Sequence, residues 1–500
     1  MPRVFRLILI HNKNRRIESS DGGTVLSALI QSGVYVPAPC AGLGICRKCR
    51  VKILEGSVRG DLPDAAGYVR ACKAFPTGDL VIDIPEAAFL GNEVDKILAH
   101  DGRPVRRAAV ALDIGTTTVA ACLLDADSGA VVDTVSFLNP QSVFGADVMS
   151  RIHQCGEGRL ASLCRVIREE VDSRLQALKR QCGVDRIANV TVSGNTTMLH
   201  LFAGVDPVCM GRAPFTPAFT DETVFCGADI GISADEVRLF PSVSAFIGGD
   251  VLAGIAAAGI ADDPNKTTLL IDLGTNGEMA LSVGGRLLCC STAAGPALEG
   301  AEIECGAGGV SGAINGVTER DGALKFTTIA NQPANGICGC GLIDAVAYML
   351  KKGYIDETGA CQTDAADRDF DGERLHFTQN VYLSGRDVRQ FQLAKSAIKT
   401  GIDILIKQAG LSGDRIDEVL IAGGLGFFID KDNALSVGLL PKNFSQKLHM
   451  CGNLSLLGAT KYLTNEVTPA ALDRAKRLCE VIDLTADKDF SDLFMDNMFF

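Results

Sequence analysis

The sequence predicts two units of different fold class in one chain: a small α+β unit first, then a large α/β unit built from two related halves. Three observations predict this. Four cysteines, Cys40, Cys46, Cys49 and Cys72, gather where short strands flank a single helix. A strand–turn–strand pattern at Asp113-Ile114-Gly115-Thr116 returns at Asp272-Leu273-Gly274-Thr275. Between the two regions, near residue 108, a polar stretch gives way to glycine-punctuated apolar strands alternating with helices.

Residues 3–10 alternate as a strand, Thr24 to Gln31 reads as a short helix with Gly33 past its end, and Val51–Leu54 and Leu80–Ile84 read as further strands. Cys40, Cys46 and Cys49 lie on one glycine-bearing loop, and Cys72 arrives later. Three thiolates on a tight loop plus a fourth suit a [2Fe–2S] cluster, because glycine lets backbone N–H groups approach the sulfides. Zinc prefers two separated cysteine pairs, which this spacing does not supply. Four buried structural thiols are the plainer alternative. A small sheet crossed by one helix, with the cluster loop between, is the pattern of a β-grasp ferredoxin over residues 1–86, and the segment resembles [2Fe–2S] ferredoxins in this motif. The five residues between Cys40 and Cys46 match the adrenodoxin-like branch rather than plant-type proteins.

Residues 87–107 read as a linker, and 108–500 as one large unit with two subdomains. Each Asp-x-Gly-Thr turn ends one strand and opens the next. Glycine allows positive φ and close backbone approach, so turn amides and the hydroxyls of Thr116, Thr117 and Thr275 can meet phosphate oxygens. Asp113 and Asp272 at the strand ends can hold Mg²⁺ through water. A third signal is Val419-Leu420-Ile421-Ala422-Gly423-Gly424-Leu425-Gly426, a buried strand entering a glycine turn against which a base and ribose can lie.

In this order the three motifs resemble the actin-like ATPase superfamily of acetate and sugar kinases, heat-shock chaperones and actin, with its duplicated RNase H-like fold. The resemblance implies ATP and Mg²⁺ as ligands. It places Asp113, Gly115, Thr116 and Thr117 in the first phosphate motif, and Asp272, Gly274, Thr275, Asn276 and Gly277 in the second. Gly423, Gly424 and Gly426 would form the adenosine motif. Asp250 and Glu299, in glycine-flanked stretches, are candidates to position water, and each reads equally well as an ordinary loop carboxylate.

Composition narrows the partners. A net charge of −12 opposes nucleic-acid binding. The apolar start is too short for a signal peptide, and the most apolar later stretch, Val251 to Ala261, falls short of a membrane span. A reducing cytoplasm is expected, with most of the 18 cysteines as free thiols. Cys289-Cys290, Cys305 and Cys338-x-Cys340 carry no cluster spacing, and His200, on an apolar helix, reads as a satisfied core residue.

A [2Fe–2S] domain ahead of an actin-like ATPase resembles the reductive activators of corrinoid proteins, which return Co(II) corrinoid to Co(I). The stretches Val192–His200, Ala245–Asp250, Ala293–Gly300 and Gly339–Ala345 carry that resemblance beyond the generic motifs. It implies ATP-dependent transfer of one electron from the cluster to a corrinoid protein of a methyltransferase system, with an unidentified electron donor refilling the cluster. Ferredoxin-type clusters sit near about −400 mV. The corrinoid couple is expected lower, and each ~59 mV opposes a one-electron step about tenfold. ATP-driven closure can offset this only by favouring one state of the partner complex. Longer members of the family place a further domain between ferredoxin and ATPase, where this chain has about 25 residues. The alternatives are a small-molecule kinase, an ATP-driven donor to another acceptor such as a radical dehydratase, and a nucleotide-sensing electron-transfer module. The C-terminal segment from Asp483 reads as a docking helix or a frayed end, and oligomeric state stays open, a homodimer included.

Overall fold

The computed structural model describes residues 6–11, 15–19, 22–32, 36, 49–64, 67–84, 105–320, 322–425 and 429–500. Cys40, Cys46, Gly426, Gly33 and most of the expected linker lie outside them.

Alternating apolar residues make the N-terminal strands half-buried: Ile8 and Ile10 of Arg6–Ile10 point inward, their neighbours outward. The sheet runs Arg15–Ser19, Arg6–Ile10, Leu80–Asp83, Arg50–Glu55, Tyr68–Arg70, with only Arg6–Ile10 and Leu80–Asp83 parallel. Helix Val25–Gln31 packs Val25, Leu26 and Leu29 against Ile8, Val51 and Ile82. This is the expected ferredoxin arrangement, with four strands beyond those read from the sequence: Arg15–Ser19 and Tyr68–Arg70 in the main sheet, and Val58–Gly60 paired with Ala74–Pro76 in a separate ribbon.

The large unit contains two six-stranded sheets that share one topology over five strands. In the first, Val131–Leu138, Thr118–Asp125 and Arg107–Ile114 form an antiparallel meander, and Arg186–Gly194 then Glu236–Leu239 add parallel strands beyond it. The second repeats this with Arg286–Thr292, Gly277–Val283, Thr268–Leu273, Glu418–Ala422 and Leu448–Gly452. Each sheet adds one unrelated edge strand, Thr223–Cys226 in the first and Cys479–Val481 in the second. The duplication expected from two Asp-x-Gly-Thr motifs is thus a duplication of the whole sheet.

Two helices join the halves. The apolar stretch that is too short for a membrane forms Gly249–Ala258, and no helix among the described residues is long and apolar enough to cross a membrane. Beyond Asp250 in its first turn it is apolar all round, because both faces are covered. Ala253 packs with Ala111, Ala120 and Leu456, while Val251, Leu252 and Ile255 pack with Leu270, Leu420 and Leu454. Helix Leu454–Leu463 lies beside it, so both cross from one sheet to the other. The long helix Gly385–Gln408 covers the second sheet and receives the C-terminus. Gln392 Nε2 donates to the Met498 carbonyl at 2.9 Å, and Phe391 stacks with Phe500. The C-terminal segment is therefore a docked helix, Phe490–Asp496, packed on its own chain.

Candidate nucleotide cleft and cluster site

The two Asp-x-Gly-Thr turns face each other across one cleft between the sheets. Its lining includes Asp113, Gly115, Thr116, Thr117, Asp250, Asp272, Gly274, Thr275, Asn276, Glu299, Gly423 and Gly424. Gly277 stands at the start of the next strand, where a Cβ would come within 2.6 Å of Thr292 Oγ1. Thr117 and Thr275, 158 positions apart in sequence, are thus neighbours because the duplicated sheets present equivalent turns to each other.

Glu299 bridges the turns. Its Oε2 accepts from Thr117 Oγ1 at 2.7 Å and from Thr275 Oγ1, while the two hydroxyls stand 3.4 Å apart. Glu299 ends the short helical turn Pro296–Glu299, which carries it to both threonine hydroxyls.

Asp113 and Asp272, equivalent in motif, differ in company. Asp113 accepts from Asn453 Nδ2 at 2.7 Å and Ser455 Oγ at 2.8 Å. Asp272 has no hydrogen-bond donor among the described residues. Burial pushes its carboxyl up to about 8, with the charges of Asp250, Asp113 and Glu299 adding to the effect. Burial likewise raises Asp250 to about 7, opposed by the Val251 N–H and reinforced by Asp113. Burial raises Glu278 well above the usual carboxylate range, with Asp250 and Asp272 contributing. Burial also raises Asp113 and Glu299, opposed by their hydrogen-bond donors, so all five cleft carboxyls stand above the usual carboxylate range.

This donor set fits Mg²⁺ with a nucleotide. Among the described residues no three side chains are gathered closely enough to chelate a bare ion. Mg²⁺ keeps most of its waters and takes one or two carboxylates plus phosphate oxygens.

The glycines work differently from the expectation of positive φ at both turns. Neither Gly115 nor Gly274 has positive φ. Gly115 is required by proximity: a Cβ there would stand 2.6 Å from the Thr118 carbonyl oxygen. Gly423 is the left-handed one, at φ +92°, and a Cβ would come within 2.4 Å of the Leu273 carbonyl. The Gly423 turn is thereby pressed against the strand that carries Asp272.

Four further groups escape motif reading. Asn195 caps helix Thr196–Ala203 and donates from Nδ2 to Thr116 Oγ1 at 3.1 Å. Asn453 caps Leu454–Leu463 and donates to Asp113. In sequence each reads only as a helix start. Ser455 has no local signal, whereas Glu278, directly after Asn276-Gly277, had one in its position.

In the N-terminal unit, Cys49 and Cys72 are both buried, and the Cys72 N–H donates to Cys49 Sγ at 3.4 Å. Ala71 N–H binds the Cys49 carbonyl and Leu26 N–H the Ala71 carbonyl, tying both cysteine segments to the helix. An N–H aimed at a buried sulfur suits a cluster thiolate. Elsewhere, His200 is satisfied: Nδ1 meets the Thr196 carbonyl at 2.7 Å and Nε2 accepts from the Ala218 N–H.

A ferredoxin unit followed by a duplicated, actin-like nucleotide cleft defines an ATP-using iron–sulfur protein. Comparison with known proteins makes the class specific. Residues 8–77 match the 2Fe-2S iron-sulfur cluster binding domain, 108–263 the RACo middle region, and 266–500 the C-terminal domain of RACo, the ASKHA domain. The corrinoid activation enzyme RamQ of Eubacterium limosum is 32% identical over 436 residues, covering 82% of this chain and 73% of RamQ. The [Co(II) methylated amine-specific corrinoid protein] reductase of Methanosarcina barkeri is 25% identical over 69% of this chain and 68% of its own. A solved structure titled as a reductive activator for corrinoid, iron-sulfur protein superposes with a TM-score of 0.72 at 27% identity, covering 99% of this chain and 98% of that one. The chain belongs to this RACo family of reductive corrinoid activators. The family's middle region corresponds to the first of the two sheets.

Proposed function

We propose that Asp113, Asp250, Asp272 and Glu299 form the Mg·ATP-responsive centre of this reductive activator, and that Cys40, Cys46, Cys49 and Cys72 hold its [2Fe–2S] cluster. The protein is an ATP-dependent enzyme that activates a corrinoid protein reductively, the cobalt passing from Co(II) to Co(I). We assign electron delivery to residues 1–86, the connection to 87–107 and nucleotide response to 108–500. The observation that carries this reading is the Glu299 bridge between Thr117 and Thr275, because a γ-phosphate and its cation must compete for the same hydroxyls.

When bound, the cluster supplies single electrons at low potential. Asp272, which has no hydrogen-bond donor among the described residues, would hold the hydration shell of Mg²⁺, which would supply charge neutralisation for the phosphates. Asp113, held by Asn453 and Ser455, keeps the opposite wall in place. The amides around Gly115 and Gly274 receive phosphate oxygens, and Gly423, Gly424 and Gly426 receive the nucleoside. Asp250 and Glu299 orient water. Filling the cleft releases the Glu299 bridge and draws the sheets together about the two crossing helices. The closed form favours the partner state in which Co(II) is reducible, and hydrolysis reopens it. The cytoplasm is the setting, and neither nucleic acid nor a membrane takes part.

The test is anaerobic visible spectroscopy of a Co(II) corrinoid protein mixed with this protein, a low-potential reductant and Mg·ATP. A Co(I) band that requires both ATP and intact Cys46 is the expected result. Normal cluster reduction with the corrinoid left as Co(II), across several partners, would move the activity to another acceptor.

A further inference from the structure

The described lining of the nucleotide cleft contains five carboxylates and no lysine, arginine or histidine. Mg²⁺ alone leaves Mg·ATP with net negative charge in an acidic cleft, so a protein cation is needed nearby. One is present behind the first phosphate turn. Arg151, on helix Val148–Gly156, is fully buried. Its Nη2 donates to the Thr116 carbonyl at 2.6 Å and its Nε to the Gly145 carbonyl at 3.1 Å. Its Nη1 reaches Gln141 Oε1 at 3.4 Å and Met198 Sδ at 3.1 Å.

Every one of these acceptors is neutral. No carboxylate among the described residues lies within ion-pair distance of Arg151. Asp147 and Glu299 act on it only through their fields. A buried guanidinium without a counter-ion is costly, and natural proteins retain one where its charge is used. Met198 belongs to the helix whose cap, Asn195, holds Thr116 Oγ1, so Arg151 and Asn195 grip the same residue from its carbonyl and hydroxyl sides.

We propose that Arg151 is a positioning residue of the nucleotide site, resting on the reading above, which fixes the Thr116 turn and supplies the fixed positive charge against the nucleotide's β- and γ-phosphates. Its charge, which no carboxylate contacts in the free protein, is compensated through the Thr116 turn when the polyphosphate enters.

The experiment measures Mg·ATP, Mg·ADP and adenosine affinity by calorimetry for the wild type, Arg151→Gln and Arg151→Lys. Gln keeps a donor for the Thr116 carbonyl and loses the charge, whereas Lys keeps the charge and loses the fork. A charge acting through protein of intermediate dielectric predicts that Arg151→Gln weakens ATP by about tenfold or more and ADP less. Adenosine should bind unchanged, and Arg151→Lys should stay close to the wild type for ATP. Equal losses for all three ligands, ATP affinity of the Gln variant matching the wild type, or a Lys variant as weak as Gln would each overturn the proposal. A wild-type protein that binds no nucleotide would instead sink the reading of the cleft itself.

Discussion

The first Asp-x-Gly-Thr turn is held from every side. Asn453 and Ser455 bind its aspartate, Asn195 its threonine hydroxyl, Arg151 its threonine carbonyl, and Asn139 Nδ2 the Gly115 carbonyl at 2.8 Å. The second turn has Glu299 on Thr275 and an internal contact from Gly274 N–H to the Asn276 carbonyl. Its aspartate has acidic neighbours and, among the described residues, no side-chain donor. The same motif has thus become a fixed wall in one half and a receptive wall in the other. Duplication supplied two equal turns, and the surrounding helix caps made them unequal.

The largest expected effect separates the aspartates by readout. Asp272→Asn should lower ATP-dependent corrinoid reduction by about 10²-fold or more, the scale of losing a preorganised charge at a reacting centre. The same change should leave the melting temperature of the Mg-free protein equal at neutral pH, because the carboxyl is already uncharged there and no hydrogen bond to it is lost. Asp113→Asn should lower that melting temperature, since an amide cannot accept from both Asn453 and Ser455 on the same atoms. Equal thermal shifts in the two variants would erase the distinction.

Glycine replacements sharpen the contrast. Gly115→Ala should destabilise by roughly 1–3 kcal/mol, because the Thr118 carbonyl must move. Gly274→Ala should change denaturant midpoints little, since the nearest atom to its Cβ would be the Asn276 carbonyl oxygen at 3.6 Å. Glu299→Gln weakens the bridge between the turns and should cost about tenfold in turnover while leaving the cluster spectrum unchanged.

The smallest effect is proton linkage. The folded, Mg-free protein keeps protons on Asp250 and Asp272 up to about 7 and about 8, whereas the unfolded chain releases them near about pH 4. Through that window the folded state binds more protons, so its stability falls as pH rises. Melting temperatures in a chelator should decline from pH 6 to pH 8.5, and Mg·ATP should flatten the slope. A stability that rises across this range would show the carboxyls already ionised.

Much of this inequality lay beyond the reach of the sequence. The β-grasp pattern, the paired phosphate turns and the strand into Gly423 were legible because each is local: alternation, a turn motif, a buried run. Asn453 and Ser455 reach Asp113 across about 340 residues, and only the crossing of two helices brings them there. Asn195 and Asn453 cap their helices through the side-chain oxygen, while the amide hydrogens are spent on the cleft, which no local pattern reports. Nothing local reports that the Arg151 side chain is buried either. The docked C-terminus was undecided for a similar reason. Its carbonyl partners, Gln392 and Lys395, belong to a helix about 100 residues earlier.

The most direct measurement is single-turnover formation of Co(I) from a Co(II) corrinoid protein, with the cluster reduced beforehand, comparing wild type and Asp272→Asn at saturating Mg·ATP. The account predicts a Co(I) band in the wild type and none above the ATP-free background in the variant, with identical cluster reduction in both. Full ATP-dependent Co(I) formation by Asp272→Asn would contradict it.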